Sequence, residues 1–376
     1  MAIPAVRRTP RAEEHRWPCE SCGADLRFAP GQTQLVCSHC GHVQEIPDAP
    51  PETRSRALGE LDLYRALADD LPPADMEEVR TTPCPSCGAL VEFSGATHAA
   101  QCPFCATPVV VGTGTSRMIK PQAVIPFALS EPQARAAMGQ WLGRLWFAPN
   151  GLVEYARKGR ALNGMHVPYW TFDAATRSRY RGLRGDYYYT TRTVAVQVNG
   201  RTEHRQEQVR HTRWTPASGW VSRRFDDVLV LASQSLPRSY TEALEPWELG
   251  ALTAYRPDFL AGFTAEGYTI SLADGQGLAH QKMAAVIHQD VRRKIGGDEQ
   301  QVQAIDTGHS EETFKHILLP VWMAAYKYGG KTYRFVVNGQ TGKVQGERPW
   351  SAWKIAFAVI LALIVAAGIA WLSQQQ

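Results

Sequence analysis

The chain has 376 residues, 44% of them hydrophobic and 10% aromatic, with a formal net charge of +4. That much apolar side chain fills two or three cores, which excludes both a single small module and a chain disordered for most of its length. The charge is unevenly spread: residues 1–80 carry 9 basic and 14 acidic side chains, whereas 157–224 carry 14 basic and 4 acidic.

Residues 1–16 turn charged before any apolar run develops, so they read as a flexible N-terminus and no signal peptide is expected. A first cysteine cluster lies within 17–47. Cys19 and Cys22 precede Gly23, and after a gap of fourteen residues Cys37 and Cys40 precede Gly41. Two residues between thiols let both sulfurs of a knuckle reach one ion, and the glycine lets backbone amides turn in toward them. Each cysteine recurs 65 residues later within 81–112, as Cys84, Cys87, Cys102 and Cys105.

Four thiolates complete a tetrahedral site, so two small four-cysteine zinc ribbons holding two structural Zn2+ ions are expected, iron being the other ion such a site accepts. Short strands are predicted over 24–28 and 33–36 in the first ribbon, and over 89–93 and 97–101 in the second. His39, His42 and His98 stand nearby, but four thiols leave them no place as ligands and leave no open position for an activated water. All eight cysteines are used in this way, which fits a reducing compartment.

Residues 48–80 form a linker. It is proline-rich to Glu52, and Leu58, Leu61, Leu67 and Leu71 then predict an amphipathic helix over 56–71, stopped by Pro72 and Pro73. Residues 113–349 read as an α+β domain. An extended entry to Pro126 leads to a helix from Ser130 to Phe147, with Pro132 in its first turn and Leu142, Leu145 and Trp146 on its apolar stripe. Pro149, Asn150 and Gly151 end it.

The stretch 166–214 is predominantly β, with a two-residue turn at Asn199 and Gly200 between strands 187–198 and 201–212. Its Arg192, Arg201, Arg205, Arg210 and Arg213 read first as a solvated face and second as a surface for anionic lipid or an acidic partner. A helix over 273–295 carries Met283, Val286, Ile287, Val291 and Ile295 and stops at Gly296 and Gly297. A β-meander follows through 319–328, 331–337 and 343–344. Val167 to Trp170 echoes Leu319 to Trp322, which predicts duplicated β subdomains. Gly330, Lys331 and Thr332 do not make a phosphate loop, because Ala325 stands where the leading glycine is needed.

Residues 355–372 carry no charge and cover about 27 Å as a helix, enough to cross a bilayer, with Trp353 and Trp371 at its interfaces. A transmembrane helix is expected over 353–372, with a short tail at 373–376. Lys343, Arg348 and Lys354 before it place the N-terminal bulk in the cytoplasm.

The two ribbons, the run from Tyr255 to Phe263, the run from Phe314 to Tyr328 and the run from Asn338 to Pro349 together resemble a bacterial family of membrane-anchored proteins with TFIIB-type zinc ribbons. Such proteins are often labelled as related to the primosomal helicase PriA. The phosphate loop and motor domains of a helicase are missing here, so the label reaches the CxxC knuckles at most. The resemblance implies metal binding by the eight cysteines, no catalytic residue, and PspA-like or SPFH-type membrane proteins as partners.

The leading expectation is a non-enzymatic zinc-binding scaffold or adaptor on the inner face of the bacterial cytoplasmic membrane, with 157–224 available to anionic lipid. The alternative is a membrane-tethered nucleic-acid-binding protein, motivated by the ribbons and the same basic segment. An enzyme would need Asp173, Asp186, His204 and His211 as its acid and base groups, and no nucleophile is placed beside any of them.

Overall fold

A computed structural model of the chain describes residues 17–86, 88–92, 99–102, 107–110, 115–145, 162–198, 201–328, 331–347 and 351–374. Strands β1 (Leu26–Phe28), β2 (Gln34–Cys37) and β3 (Val43–Glu45) form a small antiparallel sheet. The first two match the predicted ribbon strands and the third extends them.

The single helix predicted over 56–71 is not formed. Helix α1 (Pro51–Leu58) ends where Gly59 turns to extended backbone; strand β4 (Leu61–Asp62) follows, and α2 (Leu63–Leu67) starts afresh with the Asp62 carboxylate accepting from the Arg65 amide. The leucine pattern is helical, but pairing of Leu61 and Asp62 with Phe314 and Thr313 wins, and it delivers Leu63 to the core fully buried.

Strand β5 (Met76–Pro83) pairs first with β9 (Thr115–Ile119) and, further along, with β6 (Leu90–Glu92), while β7 (Ala99–Gln101) pairs with β8 (Pro108–Val110). Strand β10 (Ala123–Val124) enters the main sheet beside α3 (Glu131–Gly143), which opens with a capping box of Ser130 and Gln133. Helix α3 buries Ala134, Met138 and Leu142. Trp146 to Gly151, the expected end of that helix, lie outside the described residues.

The body is built on three long strands, β11 (Asn163–Val198), β12 (Arg201–Leu231) and β15 (Glu299–Tyr328), of 36, 31 and 30 residues. They sit in a nine-stranded sheet in the order β12, β11, β15, β10, β13 (Thr253–Ala254). Helix α4 (Arg238–Ala243) follows β12; β14 (Thr264–Ala265) pairs with β11, and β16 (Lys331–Asn338) with β15 and with β17 (Val344–Gly346). The predicted hairpin and meander are therefore present. Val198 pairs with Arg201, as a two-residue turn requires, although Asn199 and Gly200 lie outside the described residues.

The strands run far beyond their predicted ends. Strand β15 accompanies β11 to the Gly185–Glu299 pair, and the hairpin continues two-stranded from there, on the order of 40 Å further. Two-stranded hairpins are marginal alone. This one is held at its root by Tyr187, whose amide donates to Asp298 and whose hydroxyl donates to Glu299, both at 2.7 Å. Arg210 stacks over the same ring at 4.3 Å.

The echoing stretches 167–170 and 319–322 do not head separate β subdomains. They are neighbours in one sheet, with Val167 opposite Leu319. Both are buried there, so their likeness reflects two strands crossing the same core.

Helix α5 (Leu272–Ile295) packs along β11, β12 and β15, burying Gly275, Ala279, Met283, Ile287, Val291 and Ile295 at helical spacing. Its end is as expected, with Gly296 and Gly297 at φ of 66° and 78°, and its start is capped by Ser271, which accepts from the Asp274 amide. A Cβ at Gly275 would lie 2.7 Å from the Trp170 ring, so glycine is what admits that fully buried indole. Helix α6 (Ala352–Gln374) contains one span, Trp353–Trp371, long and apolar enough to cross a membrane. Its mean hydropathy is 2.4 and none of it is buried, so it serves no core; it is the one such span among the described residues and is built as a membrane anchor.

Candidate metal centre

The first ribbon brings its four thiols together. Cys19 and Cys40 sulfurs lie 3.5 Å apart, as do Cys22 and Cys37, and all four fall within 4.8 Å of one another. A Zn–S bond of about 2.3 Å gives a tetrahedron with edges of about 3.8 Å, which these positions fit.

The knuckles explain the sequence. The Cys19 amide donates to the Ala24 carbonyl and the Gly23 amide to the Cys19 carbonyl, at 2.7 and 2.8 Å. The Cys37 and Gly41 amides make the same pair of bonds to His42 and Cys37. Gly23 and Gly41 hold φ of 72° and 76°, the region that glycine enters without strain. Against burial, the Cys40 amide, with that of His39 behind it, pulls the Cys37 thiol down to about 6, so a thiolate is favoured at neutral pH. His39 and His42 are not part of the four-thiol group.

This ribbon is fused to the body rather than tethered beside it. Phe28 packs edge-on against Phe259 at 5.6 Å and against Phe263 at 6.4 Å, and its amide donates to the Ala261 carbonyl. Trp17 donates to Asp258 at 3.3 Å, Arg256 donates to the Pro47 carbonyl, and the Gly31 amide donates to the Phe127 carbonyl. The 255–263 run is thus the ribbon's seat. Cys19 and Cys37 are buried in a core shared with Phe127, Phe259 and Trp322.

In the second cluster Cys84 and Cys102 are buried, while Cys87, Cys105 and His98 lie outside the described residues. The visible halves repeat the first ribbon bond for bond: Cys84 to Ala89 and Gly88 to Cys84, at 2.8 and 2.9 Å, and Cys102 to Thr107 at 2.8 Å.

Asp173, Asp186, His204 and His211 are not brought together. Asp186 accepts from Arg184 on the surface, and His211 stacks on Tyr188 and shares a hydrogen bond with Thr190. Asp173 belongs to a carboxylate group with Glu60 and Asp226. Lys315, with a side chain 9% exposed, reaches Glu60 at 2.9 Å and the adjacent Asp227 at 3.0 Å, so that group already has its counter-charge. Burial, and then the hydrogen bond with Glu60, push Asp173 up to about 7.

A further group escaped sequence reasoning. His280 on α5 stacks on His309 of β15 with ring centroids 3.9 Å apart, and Glu312 lies beside both. These residues come from separate elements, and no local spacing announces them. Burial first, and His280 second, hold His309 below the ordinary imidazole range. Fully buried His166 and His316 are pushed to about 3 and about 4 and stay neutral.

The chain is 26% identical over 345 residues to the uncharacterized protein YdjG of Bacillus subtilis (strain 168), a match covering 90% of this chain and 92% of that one. The likeness thus runs through most of the chain's length. No protein-family model and no solved structure matches the chain.

Proposed function

We propose that this protein is a non-enzymatic scaffold or adaptor at the cytoplasmic face of a bacterial membrane, acting with PspA-like or SPFH-type membrane proteins. The observation that carries the reading is the fusion of a four-thiol ribbon into the core of a body that ends on an uncovered apolar helix. A closed tetrahedral site has no position for substrate, so its contribution is to fold and fix a surface. Lys354, with Lys343 and Arg348 before it in sequence, supports the inward orientation.

The second cluster is read as a second TFIIB-type ribbon, with Cys84, Cys87, Cys102 and Cys105 holding a second zinc ion. The repeated knuckle bonds support it. Elemental analysis of the purified protein should find two zinc ions in cysteine sites, falling to one when Cys84 and Cys102 are replaced by serine. An unchanged zinc content would remove the second ribbon.

The nucleic-acid alternative loses weight along the long strands, where several arginines already face carboxylates: Arg184 with Asp186, Arg192 with Glu207, Arg223 with Asp290 and Arg224 with Glu311. Crosslinking and mass spectrometry on the full-length protein in its native membrane, with a control lacking residues 352–376, tests the scaffold. Specific recovery of PspA-like or SPFH-type proteins is expected. Recovery of nucleic-acid-processing proteins that survives nuclease treatment would overturn it.

A further inference from the structure

We propose that His280, His309 and Glu312 form a binding site for one divalent transition-metal ion, distinct from the cysteine clusters. Three features of the fold converge on it. The first is donor chemistry: two imidazoles and a carboxylate are the set that zinc, iron and manganese share, and three protein ligands leave a position for water or a small anion.

The second is geometry. The His280 Nε2 lies 3.2 and 3.3 Å from the two Glu312 carboxylate oxygens. A charge-assisted hydrogen bond settles nearer about 2.8 Å. Ligands held about 2.1 Å from a tetrahedral ion are separated by about 3.4 Å, close to the spacing seen. One donor atom from each of the three residues lies within 4.8 Å of the others; the two imidazoles stack at 14°, so they turn out of that stack to take one ion between them.

The third is how the strand is built to place them. Strand β15 turns alternate residues toward α5 as far as His309, and strict alternation would present residue 311 next. Between Ser310 and Thr313, however, β15 passes three residues while β11 passes two. The extra residue is Glu311, held at φ 52°, and it re-aims Glu312 onto the same face as His309. A non-glycine residue in that region is a local cost that the surrounding fold maintains. Glu312 is thereby buried at 5% exposure, with Gln276 Nε2 donating to it at 2.6 Å. That is the outer hydrogen bond which orients a ligating carboxylate. The His309 Nε2 is buried and has no hydrogen-bond partner among the described residues. Buried unsatisfied nitrogens are rare, and an ion is one of the things that satisfy them.

The test uses the full-length protein in detergent, with its cysteine clusters filled with zinc, and Zn2+ and Co2+ as probes. At buffered micromolar free zinc the wild type should hold one more zinc ion than His309→Asn or His280→Asn. Gln276→Ala, which keeps all three ligands, should bind roughly 10- to 100-fold more weakly rather than lose the site. Co2+ added to wild type in which only the cysteine clusters hold zinc should give ligand-field bands without thiolate charge transfer, a readout that needs no variant. Equal zinc content in wild type and both histidine variants, each folded by circular dichroism, would overturn the proposal. So would a Co2+ spectrum that is only that of the free ion.

Discussion

The seat of the first ribbon makes zinc affinity depend on a residue that touches no metal. Phe259 is 5% exposed and packs edge-to-face on Phe28, in the core that also buries Cys19 and Cys37. Replacing a buried Phe by Ala costs about 3–5 kcal/mol, of which about 1 kcal/mol belongs to an edge-to-face ring pair. A ribbon of some thirty residues has little core of its own, so the zinc-bound fold and the docked fold are one state. The docking energy then appears in the metal equilibrium. At about 1.4 kcal/mol per tenfold, a loss of about 3 kcal/mol weakens apparent zinc binding at the first cluster by about a hundredfold. The assay is equilibrium competition between full-length protein and a chromophoric chelator, comparing wild type with Phe259→Ala. The zinc held by Cys19, Cys22, Cys37 and Cys40 should become easier to extract. Loss of thermal stability with no change in zinc competition would show that the ribbon folds without its seat and that the shared core does not couple to the metal.

Three other perturbations have definite signs. Asp173, raised from 3.8 to about 7, keeps a proton that the unfolded chain loses near pH 4. Its stabilising contribution is therefore complete below about pH 4 and lost as pH rises through about 7. Asp173→Asn, which still accepts from the Asp227 amide at that position, should gain thermal stability relative to wild type between about pH 5 and pH 8; a constant difference would refute the assignment. Glu60 opposes it: despite burial, hydrogen bonds with Asp173, Thr313 and Lys315 hold it below its usual range, so its contribution is present above its unfolded value and lost on acidification. Glu311→Gly relieves a left-handed conformation at the cost of an exposed ion pair to Arg224, and should stabilise by about 1 kcal/mol in chemical denaturation; a decrease would mean the bulge is not strained. Deleting 352–376 should move the protein from the membrane pellet to the soluble fraction with its melting transition intact, and retention in the pellet would remove the anchor.

What the sequence made legible was whatever is periodic or local. The first ribbon's thiol spacing, the pairing that flanks Asn199 and Gly200, the α5 stripe with its two glycines and the apolar span all follow from short-range pattern, and the structure agrees at each. The failures are long-range. Leu58, Leu61, Leu67 and Leu71 carry a helical period, yet β4 forms because β15 is there to pair with it. The expected strands end at Thr212 and begin at Leu319, whereas β12 runs on to Leu231 and β15 starts at Glu299, through charged residues such as Arg223 and Asp306. Asp306 lies on the solvated face of the sheet, and Arg223 reaches Asp290 at the edge of α5, so both are accommodated within long strands.

The bulges are the other thing a linear reading cannot supply, and they decide the chemistry of the centre of the sheet. Beside Asp173, β12 passes three residues for two of β11, with Asp227 at φ 51°, and β15 does the same with Glu311 at φ 52°. Each extra residue reverses which side chains face inward. On one side the shift puts Asp227 within reach of Lys315, and on the other it puts Glu312 beside two imidazoles. With strict alternation Glu312 would follow Ser310 out to solvent, and Asp227 would follow Arg223 and Phe225 toward α5, away from Lys315. Two inserted residues on opposite sides of one strand instead give one carboxylate an ammonium and the other a pair of imidazole nitrogens. That difference in partner is what separates a closed ion-pair network at Glu60, Asp173 and Lys315 from a metal site at Glu312.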